Sequence, residues 1–234
     1  MSIKKHIPNA ITCCNLFSGC VACVMAFTGK FEYAMLFIVL GAVFDFFDGL
    51  VARLLGVSSP LGVQMDSLAD DITFGLAPAT VIFSFMKNVL EYPPFLECVA
   101  DVLPYSAFLI AVFSACRLAK FNIDTRQTTS FIGLPTPANA LFWSSLIVGG
   151  EKWLLEMNNA WILLIALIFL FSYFLVSEIP MFSMKFKNLS WNSNKTRYIF
   201  LLGSIPMFIL GYLAPVAIIS WYLVFSVISS KKKV

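Results

Sequence analysis

The chain has 234 residues, of which 59% are hydrophobic and only 12% charged. Soluble domains carry about 25% charged residues, so this composition excludes a water-soluble globule and makes lipid the solvent for most of the surface. The formal net charge of +3 is too small to specify a partner and gives no reason to expect a nucleic acid, so the distribution of charge matters more than its sum.

A helix needs about 20 predominantly apolar residues to cross a hydrocarbon core. In chain order the apolar runs predict spans at 11–29, 32–54, 62–86, 103–120, 136–150, 159–177, 196–212 and 214–229. The expected fold is all-α: a polytopic membrane helical bundle of about eight transmembrane helices, forming one domain over residues 1–234. Seven spans remain possible, because only Leu213 and Pro215 divide the last two. Residues 1–10 read as a juxtamembrane segment and residues 231–234 as a basic cytoplasmic tail. Lys4 and Lys5 ahead of an apolar run imitate a secretory signal, but no small-residue cleavage site follows, so the run reads as the first span.

Basic residues concentrate in cytoplasmic loops. With eight spans and an inside N-terminus, the inside segments hold Lys4, Lys5, Arg53, Arg117, Lys120, Arg126, Lys185, Lys187, Lys195, Arg197 and Lys231 to Lys233, which is thirteen of the sixteen basic residues. Lys30, Lys87 and Lys152 remain outside, where the 87–103 loop carries Glu91, Glu97 and Asp101. The asymmetry favours an even span count with both termini inside. Lys231 to Lys233 read as an anchor for anionic membrane lipids. The polar stretch 178–198 contains sequons at Asn188 and Asn194, which this topology puts on the wrong side for glycosylation. Cys20 and Cys23 form a C-x-x-C without a second pair, and His6 is the only histidine, so zinc and haem chemistry lack ligands.

Five of the thirteen acidic residues fall between Asp45 and Asp71, around the second and third spans. An aspartate near mid-membrane costs about 2.5–3.5 kcal/mol on insertion scales, so several together need a compensating partner. Asp45 and Asp48 are spaced i,i+3 and Asp66 and Asp70 i,i+4, so each pair shares a helix face. The short connection from Arg53 to Gly62 returns the helices antiparallel, bringing four carboxylates together near their cytoplasmic ends. Divalent cations would remove the repulsion, and all-oxygen ligation favours Mg²⁺, Mn²⁺ or Ca²⁺ over zinc. The carboxylates alone equally permit a proton relay. Gly49, Ala52 and Gly62 beside the acids leave room for a bulky ligand, and Arg53 offers a planar fork suited to phosphate oxygens.

Asp45-Phe-Phe-Asp48-Gly49-Leu-Val-Ala52-Arg53, followed by Gly62, Asp66 and Asp70 at their spacing, resembles the signature of the CDP-alcohol phosphotransferase family. The catalytic motif spans residues 45–70. Pro8-Asn9 with Thr12, Asn15, Leu16 and Gly19 is similar to the membrane-bound phosphatidylserine synthase branch. So are Gln64 to Asp70 running on to Phe74-Gly75-Leu-Ala77-Pro78-Ala79, Arg117-Leu-Ala-Lys120-Phe-Asn122, and Phe131 to Ala138. Lys120 stands where arginine is more usual in that branch, keeping the charge without the fork.

This resemblance implies transfer of a phosphatidyl group from CDP-diacylglycerol to L-serine at the cytoplasmic face of a bacterial inner membrane, with release of CMP. It also implies two divalent cations, Mg²⁺ or Mn²⁺ (Ca²⁺ being able to occupy the site), on Asp45, Asp48, Asp66 and Asp70, with Asp70 as general base. Asn9, Thr12, Gly49, Ala52, Arg53 and Gly62 would bind CDP-diacylglycerol, and Arg117, Lys120 and Asn122 the serine; a homodimer is implied too. Helix capping is the alternative for Asn9 and Thr12, and topology for Arg117, Lys120 and Asn122. Asp71, about a quarter-turn from Asp70, is left out of the site. Glycerol 3-phosphate, an inositol phosphate and choline remain alternative acceptors. A cation- or proton-coupled transporter is the alternative outside the enzymes, although residues 136–234 hold no second acidic cluster.

Overall fold

A computed structural model describes residues 6–124, 131–181 and 191–231. Lys4, Lys5, Arg126, Lys185, Lys187, Lys232, Lys233 and the Asn188 sequon lie outside the described residues.

Helix α1 (His6–Phe27) turns at Gly29, whose φ is +73°, into α2 (Phe31–Leu55). Gly56, with φ +61°, ends α2 in a left-handed cap, its N–H reaching the carbonyls of Ala52 and Arg53. Ser59 then opens α3 (Pro60–Asp70), its hydroxyl accepting from Gly62 N at 3.0 Å with proline in the first turn. These stop and start signals make the expected short return between the two acidic helices. A π-helical segment, Asp71–Leu76, continues directly into α4 (Ala77–Asn88).

A short helix α5 (Glu97–Ala100) and a 3-10 turn, Leu103–Phe108, lead into α6 (Leu109–Ile123). Strand β1 (Phe131–Ile132) precedes α7 (Thr136–Glu156) and α8 (Ala160–Val176). Strand β2 (Pro180–Met181) pairs antiparallel with β1, matching Phe131 to Met181 and Ile132 to Pro180. Gly133, at φ +74°, follows β1 so closely that a Cβ there would lie 2.7 Å from the Leu175 carbonyl. Leu134 N donates to the Phe174 carbonyl at 2.9 Å, so this loop satisfies the end of α8.

The chain closes with α9 (Trp191–Ser204), a 3-10 segment (Ile205–Leu213) and α10 (Ala214–Lys231). Gly211 takes φ +57° and ψ −123°, and there the chain doubles back. Phe200 meets Tyr222 at 5.9 Å between ring centroids, and a Cβ on Gly203 would lie 3.1 Å from Trp221 Nε1, contacts a straight helix could not make.

Five described helical stretches are long and apolar enough to cross a membrane: His6–Phe27, Phe31–Leu55, Pro60–Asn88, Cys98–Ile123 and Arg197–Ile228. Splitting the last at Gly211 gives six; α8, apolar but shorter, and α7, long enough but less apolar, bring the helical segments to eight. The boundaries differ mainly where short helical turns extend a span into the loops: the first begins at His6, not 11, and the fifth continues to Glu156. Helices α4 and α7 are the innermost. Residues Ala77 to Met86 are all buried, and Trp143, Ile147 and Leu154 are fully covered. Large apolar side chains such as Phe17, Phe46, Phe208 and Ile209 face outward, as lipid solvation allows. The protein is an integral membrane helical bundle.

Candidate active site

Helix α1 supplies one wall. Because it is already helical at His6, Asn9 and Thr12 lie inside it rather than at its cap. Pro8, Thr12, Asn15 and Gly19 recur at three- and four-residue intervals and form a buried stripe facing α2, α3 and the π segment. The Thr12 hydroxyl donates to Asp48 Oδ2 at 2.6 Å, and Asn15 Nδ2 donates to Asp70 Oδ1 at 3.1 Å. Thr73, in the π segment, returns a bond from Oγ1 to the Asn15 carbonyl at 3.0 Å. Close approach needs glycine on both facing helices. A Cβ on Gly19 would lie 2.8 Å from Thr73 Cα, and one on Gly41 would lie 2.9 Å from Asn15 Oδ1.

Asp45, Asp48 and Asp66 converge so that one carboxylate oxygen from each lies within 4.8 Å of the others. Asp70 follows Asp66 by one turn and lies within electrostatic reach of Asp45, Asp66 and Asp48. No ion pair reaches these acids among the described residues, whereas Lys120 and Glu178 form a salt bridge elsewhere. Asp66 Oδ1 is buried without a hydrogen-bond partner. Three converging carboxylates with an orphaned oxygen, and no ion pair to them among the described residues, are the donor set of a hard divalent ion. The acids fit such an ion.

Beside them opens a cleft lined by Pro8, Asn9, Thr12, Gly49, Ala52 and Gly62, with Asp48 and Asp66 in its wall. Gly62 faces Asn9, whose Oδ1 lies 3.1 Å from where a Cβ would sit. Arg53 is exposed at the rim, its Nη1 3.6 Å from the corresponding point on Gly49. The small residues of the signature therefore border an open volume next to the carboxylates.

The acceptor-side residues divide. Arg117 is buried on α6, with Asp70 and Tyr222 as its charged or titratable neighbours, and its Nε has no hydrogen-bond partner among the described residues. Lys120 and Asn122 are engaged elsewhere. Lys120 pairs with Glu178, and Asn122 Nδ2 donates to Ser67 Oγ at 2.8 Å, tying the end of α6 to α3. Asn15 and Thr73 were not singled out as site residues from the sequence, although an asparagine one turn from Thr12 on an apolar helix was the available signal.

Residues 5–172 match the family described as CDP-alcohol phosphatidyltransferase. The chain is similar to a CDP-diacylglycerol–serine O-phosphatidyltransferase of Helicobacter pylori, 31% identical over 187 residues, covering 79% of this chain and 74% of the relative. A protein of that name from Bacillus subtilis is 37% identical over 137 residues, covering 57% of this chain and 70% of the relative. One from Saccharomyces cerevisiae is 38% identical over 153 residues, covering 58% and 51%. A match over most of the chain, with three of the signature acids converging beside the cleft, leads to one conclusion: this protein belongs to the CDP-alcohol phosphatidyltransferase family.

Proposed function

We propose that this protein is a phosphatidylserine synthase, transferring phosphatidyl from CDP-diacylglycerol to L-serine and releasing CMP. The observation that carries the reading is the meeting of Asp45, Asp48 and Asp66 beside a cleft bordered by Gly49, Ala52 and Gly62. The names of the similar proteins support serine as acceptor. The basic-residue asymmetry supports a site at the cytoplasmic face of a bacterial inner membrane. A homodimer belongs to the reading through the family resemblance alone.

Asp45, Asp48, Asp66 and Asp70 would hold two divalent cations, Mg²⁺ or Mn²⁺, which when bound neutralise the carboxylates and withdraw charge from the phosphate oxygens. Asn9, Thr12 and the small residues of the cleft receive the cytidine diphosphate, and Arg53 at the rim offers its fork to phosphate. Asp70, oriented by Asn15, takes the proton of the serine hydroxyl. The serine oxygen bonds to the phosphorus carrying the diacylglycerol as the bond to the CMP oxygen breaks. CMP departs with its electron pair, and the lipid product stays in the bilayer. Arg117, buried near Asp70, meets the serine carboxylate. Lys120 and Asn122 contribute by exchanging Glu178 and Ser67 for substrate.

The test is an acceptor screen on the purified protein, scoring CMP release with serine, glycerol 3-phosphate, inositol phosphate and choline. Serine is expected to exceed each of the others by about ten-fold or more, the discrimination that a site built around polar contacts achieves readily. A preference for any of the other three would overturn serine as acceptor.

A further inference from the structure

The fifth acid of the cluster has no role in that reaction. Asp71 opens the π segment, and its Oδ1 lies beside Gly75 on the side facing α6 instead of joining the oxygens of Asp45, Asp48 and Asp66. That oxygen is buried without a hydrogen-bond partner among the described residues. Facing it is Ser114 of α6, fully buried, its Oγ likewise without a hydrogen-bond partner among the described residues. Both flank Gly75: a Cβ there would lie 2.8 Å from Asp71 Oδ1 and 3.5 Å from Ser114 Oγ. Arg117 follows Ser114 by three residues and so shares its helix face, with Nε unpartnered.

An anion on the π segment, a hydroxyl facing it from α6 and a buried guanidinium one turn along α6 from that hydroxyl describe a receptor for a small ligand bearing both charges. We propose that Asp71 and Ser114 seat the ammonium group of the acceptor, making Asp71 a specificity residue for an amino-acid alcohol. This inference rests on the serine-acceptor reading. With the carboxylate on Arg117 and the ammonium on Asp71, the hydroxyl of serine is left for Asp70, the residue adjacent to Asp71 and within electrostatic reach of Arg117. Acceptors without an ammonium leave the buried Oδ1 of Asp71 unpaired, which disfavours them.

The experiment follows CMP release by the purified protein at varied serine. Asp71→Asn keeps the shape and removes the charge, so KM for serine should rise about ten-fold or more while KM for CDP-diacylglycerol stays within about two-fold. Ser114→Ala should raise the same KM by a smaller factor. As a binding readout, L-alanine should compete with serine better than propanoate in the parent protein, and Asp71→Asn should erase that advantage. Melting and elution in detergent establish that each variant is folded, and Ser114→Ala alone decides if Asp71→Asn is not. An unchanged serine KM, or a parallel rise for both substrates, overturns the seat. If the parent protein prefers an alcohol without an ammonium, the serine reading fails first and is recognised as such before any variant is compared.

Discussion

Thr12 carries a single hydroxyl and holds Asp48 by it at 2.6 Å. The same hydroxyl also lies 3.1 Å from the Pro8 carbonyl, so a residue outside the acidic set, anchored to its own helix, occupies one oxygen of Asp48. Partners of this kind alter metal affinity by about 10–100-fold when removed. Thr12→Val, nearly isosteric, should therefore raise the Mg²⁺ requirement for CMP release by about ten-fold, and Thr12→Ser should restore it. An unchanged metal requirement in Thr12→Val would show that Asp48 needs no outside support. The role of Thr12 was only half legible beforehand. Its position near the N-terminus of a span suggested capping, and the helix proved to begin six residues earlier, at His6. Lys120 shows the opposite limit, because its charge was evident from the sequence whereas its pairing with Glu178, 58 residues away, was not.

At the level of elements, the π segment is what aims the site. Its first residue follows Asp70 directly, and its Thr73 is wedged between α1 and α2 where only Gly19 and Gly41 leave room. Gly19→Ala would set a methyl group 2.8 Å from Thr73 Cα, and backbone cannot rotate aside as a side-chain end can. Overpacking of this sort costs about 1–3 kcal/mol. The variant should melt earlier in detergent and lose about ten-fold in kcat, because the π segment must move and take Asp70 with it. A variant as active and as stable as the parent would mean that α1 shifts instead. Pairs at i,i+3 and i,i+4 made the convergence of Asp45, Asp48 and Asp66 foreseeable, since helix geometry alone puts each pair on one face. The π segment was not foreseeable, because residues 71–76 read as uninterrupted helix within the third expected span.

For the whole molecule, the apolar runs marked the membrane segments well because the 20-residue requirement is set by bilayer thickness and not by sequence detail. The last pair depended on Gly211, whose positive φ turns one long apolar stretch into a hairpin. The arrangement also separates the two classes of function left open by the carboxylates. The acids sit beside an open cleft that includes the α1 terminus and the α2–α3 connection, residues 57–59, and so lies at one end of the bundle. A transporter works only across a sealed bilayer, whereas chemistry at one end of a bundle needs no second compartment. Purified protein in detergent micelles should therefore release CMP from CDP-diacylglycerol and serine at a rate within about ten-fold of that in sealed vesicles. Chelation should reduce the rate to background and added Mg²⁺ or Mn²⁺ should restore it, since the four acids otherwise repel one another. Turnover that requires closed vesicles would return the acids to a transport role, and turnover indifferent to chelation would remove divalent ions from the site.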